Sequence, residues 1–223
     1  MGQEPLSEIL SRPPVEALEG FLRRWHGVTS SVDRQPVRAD VAPALRPVHR
    51  VGSLAPRFFA VNELLRTPRH DGDMAVFYSE EQWVWEWAVR VDDLSLDDPP
   101  VFSREVDAPG GWAQEAPGVS VFLLQLAVMN AALAPSHGAA AAWLSARDAD
   151  HALAPLRELE LPPWRWPGYP SRFYAGDDVV AFACPNEGGP SQDEPYRSVW
   201  VGGLDEHALS FLAPHLTAAW DMD

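Results

Sequence analysis

No lysine occurs among the 223 residues; all 17 basic residues are arginine. Lysine Schiff-base chemistry and a phosphate loop of the G-x-x-x-x-G-K-[ST] type are thereby excluded, because both need the ε-amino group of lysine. Cysteine is nearly absent as well. Cys184 stands alone, so no intrachain disulfide can form, which suits a reducing compartment. Long apolar runs are missing too. The most apolar stretch, Val121 to Ala134, falls short of the ~20 residues a spanning helix needs and is interrupted by Gln125 and Asn130. Met1 to Leu10 carries neither a basic n-region nor an apolar h-region, so no secretory signal is expected and the expected location is cytoplasmic. Positive charge is scarce: 32 acidic against 17 basic residues leave a formal net charge of −15. Such a surface repels phosphate backbones and anionic membranes, which argues against nucleic acid and membrane as partners. A basic protein would be steered toward it, although the same charge also serves plain solubility.

What is present describes a globular α+β protein. A hydrophobic content of 46% in a chain of this length supports a proper core, and 22 prolines predict long irregular connections between short elements. After Pro13 and Pro14, the positions Val15, Leu18, Leu22 and Trp25 form one helical stripe, which Gly27 should stop. Val28 to Pro56 reads as loop with one short strand, and Ala60 to Arg66 as a short helix closed by Thr67-Pro68. The clearest strand runs from Gln82 to Val91. It alternates strictly, with Trp83, Trp85, Trp87, Val89 and Val91 on one face and Gln82, Val84, Glu86, Ala88 and Arg90 on the other. Met74 to Tyr78 is its hairpin partner across a turn at Ser79 to Glu81, and Val101 to Val106 returns as a third antiparallel strand. Ser120 is placed to cap a helix carrying Phe122, Leu123, Leu126, Met129 and Leu133. Beyond it, Ala139 to Ala146 and Ala152 to Leu159 read as Ala-rich helical pieces, and Pro162 to Pro167 as a stiff aromatic connector. Asp178 to Cys184 and Arg197 to Gly202 read as strands, and Asp205 as the cap of a last helix. Two similar segments, Gly72 to Phe77 and Gly176 to Phe182, each lead into a hairpin, which favours an antiparallel sheet over a doubly wound parallel one.

Catalytic signatures are missing from this pattern. There is no G-x-S-x-G elbow and no H-E-x-x-H helix. The histidines at 26, 49, 70, 137, 151, 207 and 215 are dispersed, and the closest pair, His207 and His215, has a poor spacing for two ligands on one helix face, so no metal or other cofactor is expected. Cys184, followed by Pro185 at the end of an apolar strand, fits a buried structural thiol better than a nucleophile. Asp71 and Asp73 flank Gly72 as in a tight turn. The doublets Asp92-Asp93, Asp97-Asp98 and Asp177-Asp178 fit solvated loops, since general acid catalysis would need one carboxyl desolvated within a cleft. The tryptophan ladder reads as a core face, except for Trp83, which starts the strand beside an acidic turn and can serve as a binding contact. If the ladder is core, Glu86 should face outward.

Several of these segments resemble one family. A proline-led helix ending in Arg23-Arg24-Trp25-His26-Gly27 resembles the opening of SUKH superfamily domains. Phe77-Tyr78-Ser79-Glu80-Glu81-Gln82 followed by Val84-Trp85-Glu86-Trp87 is similar to their central hairpin, with Trp83 standing where a glycine is expected after Gln82. Asp97-Asp98-Pro99-Pro100-Val101 and the Leu-rich helix after Ser120 complete the order. The resemblance covers residues 13–135 and implies one domain over 1–223: an antiparallel β-sheet flanked by helices, with 136–223 as a C-terminal α/β extension. It further implies a protein without catalytic residues that binds a partner, as bacterial immunity proteins neutralise a cognate toxin, often a basic nuclease. The alternative it allows is a regulatory or scaffold module with no toxin partner. The residues expected to meet a cognate toxin or other basic protein are Glu80, Glu81, Trp83, Glu86, Asp92, Asp93, Asp97 and Asp98.

Overall fold

The computed structural model describes residues 4–59, 61–191 and 194–222, excepting the side chains of residues 56 and 57. Along the chain it forms α1 (Leu6–Ile9), α2 (Pro14–His26), α3 (Arg46–Leu54), β1 (Glu63–Asp71), β2 (Met74–Ser79), β3 (Trp85–Arg90), β4 (Val101–Glu105), β5 (Ala113–Ala116) and α4 (Val119–Leu133). There follow β6 (His137–Ser145), α5 (Ala146–Leu153), β7 (Arg157–Glu158), β8 (Arg172–Ala175), β9 (Val179–Asn186), β10 (Tyr196–Gly203) and β11 (Trp220–Met222). Short 3-10 turns intervene, the longest at Glu206–His215. The class is α+β with two antiparallel sheets, one of five strands in the order β1-β2-β3-β4-β5 and one of six in the order β11-β6-β10-β9-β8-β7. The chain divides into two compact units, one of residues 22–124 and the other of the residues up to Phe21 together with Gln125 onward.

In the unit of residues 22–124, α2 ends as its sequence requires. Gly27 takes φ +65°, and Val28 N–H donates to the Leu22 carbonyl at 3.2 Å. Gly72, at φ +58°, makes the β1–β2 turn that the Asp-Gly-Asp pattern predicts. β2 is buried along its whole length. A bulge between Val76 and Tyr78 turns consecutive aromatics to one face, where Phe77 and Tyr78 both meet Phe122, at 5.4 and 6.0 Å between ring centroids. Trp87 joins them, 5.1 Å from Tyr78, so the ladder is core at this position. The other face carries Met74, Val76 and Ala88 under Leu65, Phe102 and Trp112.

Three sequence expectations are corrected here. Val28 to Pro56 is largely loop as expected, but in place of a short strand it holds the helix α3 at Arg46–Leu54, with Pro47 in its first turn, where the N–H proline lacks has no partner. Residues 61–62 are a bend and 63–66 open the edge strand β1 rather than a helix, residue 60 lying outside the described residues. Pro68 is tolerated in β1 because it falls at a register shift between Leu64 and Arg69 on an edge strand. Ser120 does not cap α4 from outside but lies in its first turn. The cap comes from Asp98, whose carboxylate accepts from the Ser120 N–H at 2.8 Å and its hydroxyl at 2.7 Å.

In the other unit, β9 and β10 pair antiparallel from Val179 with Gly203 to Asn186 with Tyr196, as their apolar patterns predict. Residues 139–145 are strand rather than helix. β6 is paired on both sides, to β10 and β11, and sheet pairing overrides the helical preference of its alanines. The helix α5 begins at Ala146, where the Ser145 hydroxyl accepts from Asp148 N–H at 3.1 Å, and residues 157–158 are strand rather than helix. Ala139, Ala141, Ala149, Ala152, Ala181, Val199 and Val201 form the core between α5 and the sheet. On the other sheet face Trp164, Phe173, Phe182 and Trp200 stack in sequence at 5.4 to 6.4 Å. Asp205 caps the last 3-10 segment through Ala208 N–H at 2.9 Å.

Candidate functional site

The turn between β2 and β3 is built around one carboxylate. Glu80 is buried, and its Oε2 accepts from Gln82 N–H at 2.8 Å, while its carbonyl accepts from Trp83 N–H at 2.9 Å. Glu80 N–H donates to the Trp85 carbonyl at 2.9 Å and closes the hairpin. With its backbone so held, Trp83 adopts φ +62°, the one positive φ of a non-glycine residue among the described residues. This left-handed region costs an ordinary L-residue about 1–2 kcal/mol, which explains why a glycine is expected at the position. The strain is tolerated at a site where the side chain does nothing for the core: Trp83 is 46% exposed and Val84 beside it 48%.

Several exposed carboxylates lie at the same end of the sheet. Glu81 is exposed beside Trp83. Val106 N–H donates to the Val84 carbonyl at 2.9 Å, which brings the exposed Glu105 and Asp107 to the same end of the sheet. β1 begins at the exposed Glu63, opposite Ser79. Sequence reasoning missed Glu63, Glu105 and Asp107. Antiparallel pairing of Val101 to Val106 with the tryptophan strand would have placed Glu105 opposite Trp85, where it lies.

The eight residues expected to meet a partner do not form one group. Asp92 and Asp93 follow the far end of β3, and Asp97 lies in the connection to β4. At about 3.3 Å per residue, β3 separates them from Trp83 by about 20 Å. Asp98 is engaged in capping α4. Glu86 does not face outward as expected but is 2% exposed, because the sheet's second face is itself covered. Its carboxylate accepts from Arg69 and, at 3.0 Å, from Arg104. Arg104 also pairs with Asp71 and stacks over Trp112 at 4.4 Å, a charge network that closes the face behind the turn. Of the eight, Glu81 and Trp83 stand exposed at the turn, on a frame held by Glu80.

Elsewhere, burial pushes the Cys184 thiol up to about 11, so the thiolate needed by a nucleophile is scarce at neutral pH. Among the described residues no group of three or more His, Cys, Asp or Glu is placed to hold a metal ion, and no helix is long and apolar enough to cross a membrane. Comparison of the chain with protein-family models, with curated proteins and with solved structures finds no match in any of the three.

Proposed function

We propose that this chain is a protein-binding module without catalysis of its own, working as an immunity-type protein that neutralises a basic, nuclease-type toxin, and that the β2–β3 turn is its contact surface. One observation carries the reading: a tryptophan held in a left-handed backbone and left half exposed, at a sheet end that also carries the exposed Glu63, Glu81, Glu105 and Asp107. An aromatic anchor at an acidic sheet end suits a partner whose surface is apolar at the centre and rich in Arg and Lys around it. The net charge of −15 would speed the encounter. The likeness of the hairpin to SUKH domains supports the same role, and the absence of lysine together with the buried Cys184 removes amine and thiolate nucleophiles.

The reading expects a neighbouring gene encoding a multidomain toxin, and the test is to co-express the chain with the basic C-terminal domain of that toxin. Co-elution at low salt, with toxin activity suppressed in the mixture and recovered as salt rises, is the expected result. Toxin activity left intact at low salt overturns the proposal and would leave a regulatory or scaffold role as the alternative.

A further inference from the structure

A second surface, independent of the turn, lies in the unit that holds the six-stranded sheet. Register puts Arg172 opposite Ala183, Glu158 opposite Tyr174, and Arg197 opposite Pro185. Antiparallel partners share a sheet face, and so do residues two apart on a strand. Arg172, Tyr174, Ala183, Arg197 and Glu158 therefore share the face that α5 covers, where Ala183 is the smallest side chain. The floor it leaves low opens a cleft of about 370 Å³, with Asp150 of α5 on its wall. That volume sits at the small end of the roughly 300–1,000 Å³ of ligand pockets.

The charges around the cleft balance. Arg172 pairs with Glu158 at 3.2 Å, and Arg197 pairs with Asp150. In a chain of net charge −15, a cleft with two guanidiniums is a local exception. Both pairs stay open to solvent, their side chains being 47% and 50% exposed in the first and 32% and 61% in the second. Pairs so exposed contribute only about 0–1 kcal/mol, so a ligand can replace one partner with its own charge at little cost. A simple anion would meet Asp150 and Glu158 and the acidic field of the whole chain, and a simple cation would meet Arg172 and Arg197. A molecule with both charges, a few ångströms apart, meets neither objection. Tyr174 adds a ring and a phenol, which burial and the neighbouring Glu158 keep protonated and thus able to donate.

We infer that this cleft is a binding site for a small zwitterion of the α-amino-acid class, its carboxylate taken by Arg172 and Arg197 and its ammonium by Asp150 and Glu158. The test is calorimetric titration and thermal melting of the full chain with each of the common L-amino acids, with acetate and methylamine as single-charge probes. Saturable binding of at least one amino acid, with a matching rise in melting temperature, is expected where neither acetate nor methylamine binds. Arg172→Gln and Asp150→Asn should each weaken that binding about tenfold or more while the apo melting temperature holds. Arg38→Gln, which removes a surface pair in the other unit, should leave it unchanged. No binding of any amino acid at millimolar concentration, equal binding of acetate alone, or full affinity in both cleft variants overturns the inference.

Discussion

Trp83 combines a backbone conformation suited to glycine with a ring left half exposed. Trp83→Gly should therefore leave stability unchanged or raise it by up to about 1 kcal/mol in urea unfolding, because the strain goes while little packing is lost. A loss of more than that would mean the ring supports the fold instead. Glu86 makes the opposite case. Its carboxylate is buried between two arginines, of which Arg69 is 46% exposed and Arg104 also holds Asp71, so Glu86→Ala should cost about 1–3 kcal/mol by the same measurement. A cost below 1 kcal/mol would show that solvent screens the network. Cys184 gives a pH signature. Its native thiol is held up at about 11 from an ordinary 9.0, so the unfolded chain loses this proton first as pH rises. Its contribution is intact below about pH 9 and lost as pH climbs toward 11. The alkaline fall in melting temperature should be shallower in Cys184→Ala; an unchanged slope would assign the fall to other groups.

Among the elements, those with strong local signals were legible in the sequence. The helix stopped by Gly27, the β2–β3–β4 meander and the β9–β10 pair follow from periodicity and turn chemistry alone. Those decided by distant neighbours were not. The alanines of β6 form a strand because β10 and β11 flank them, and β1 keeps Pro68 because a register shift falls there. Of the candidate site, the hairpin and an exposed Trp83 were legible, but the strand begins at Trp85 rather than Gln82, so Trp83 lies in the turn and not in the strand. The inward position of Glu86 was not, since it depends on Phe102 and Trp112 covering the second face. Gly202 tests such a distant constraint: a Cβ there would lie 2.2 Å from the Ala131 carbonyl oxygen of α4, so strand and helix backbone approach without room for a methyl. Gly202→Ala should lower stability by about 2 kcal/mol or more, while Gly110→Ala, in open space, should change little. Equal effects would show that strand and helix part easily.

At the scale of the molecule, charge alone does not single out a surface, because acidic residues lie at both ends of the five-stranded sheet. On the proposed function the two ends differ: the turn with Trp83 and Glu81 is the contact, and the opposite end with Asp92 and Asp93 is not. An inhibition titration at low salt of the basic toxin domain that the proposed function requires, run with the wild type, Trp83→Ala/Glu81→Arg and Asp92→Arg/Asp93→Arg, tests this directly. The predicted result is stoichiometric inhibition by the wild type and the Asp92/Asp93 variant, and inhibition weakened about a hundredfold by the turn variant. Equal inhibition by the turn variant and the wild type, or none by the wild type, would contradict the account.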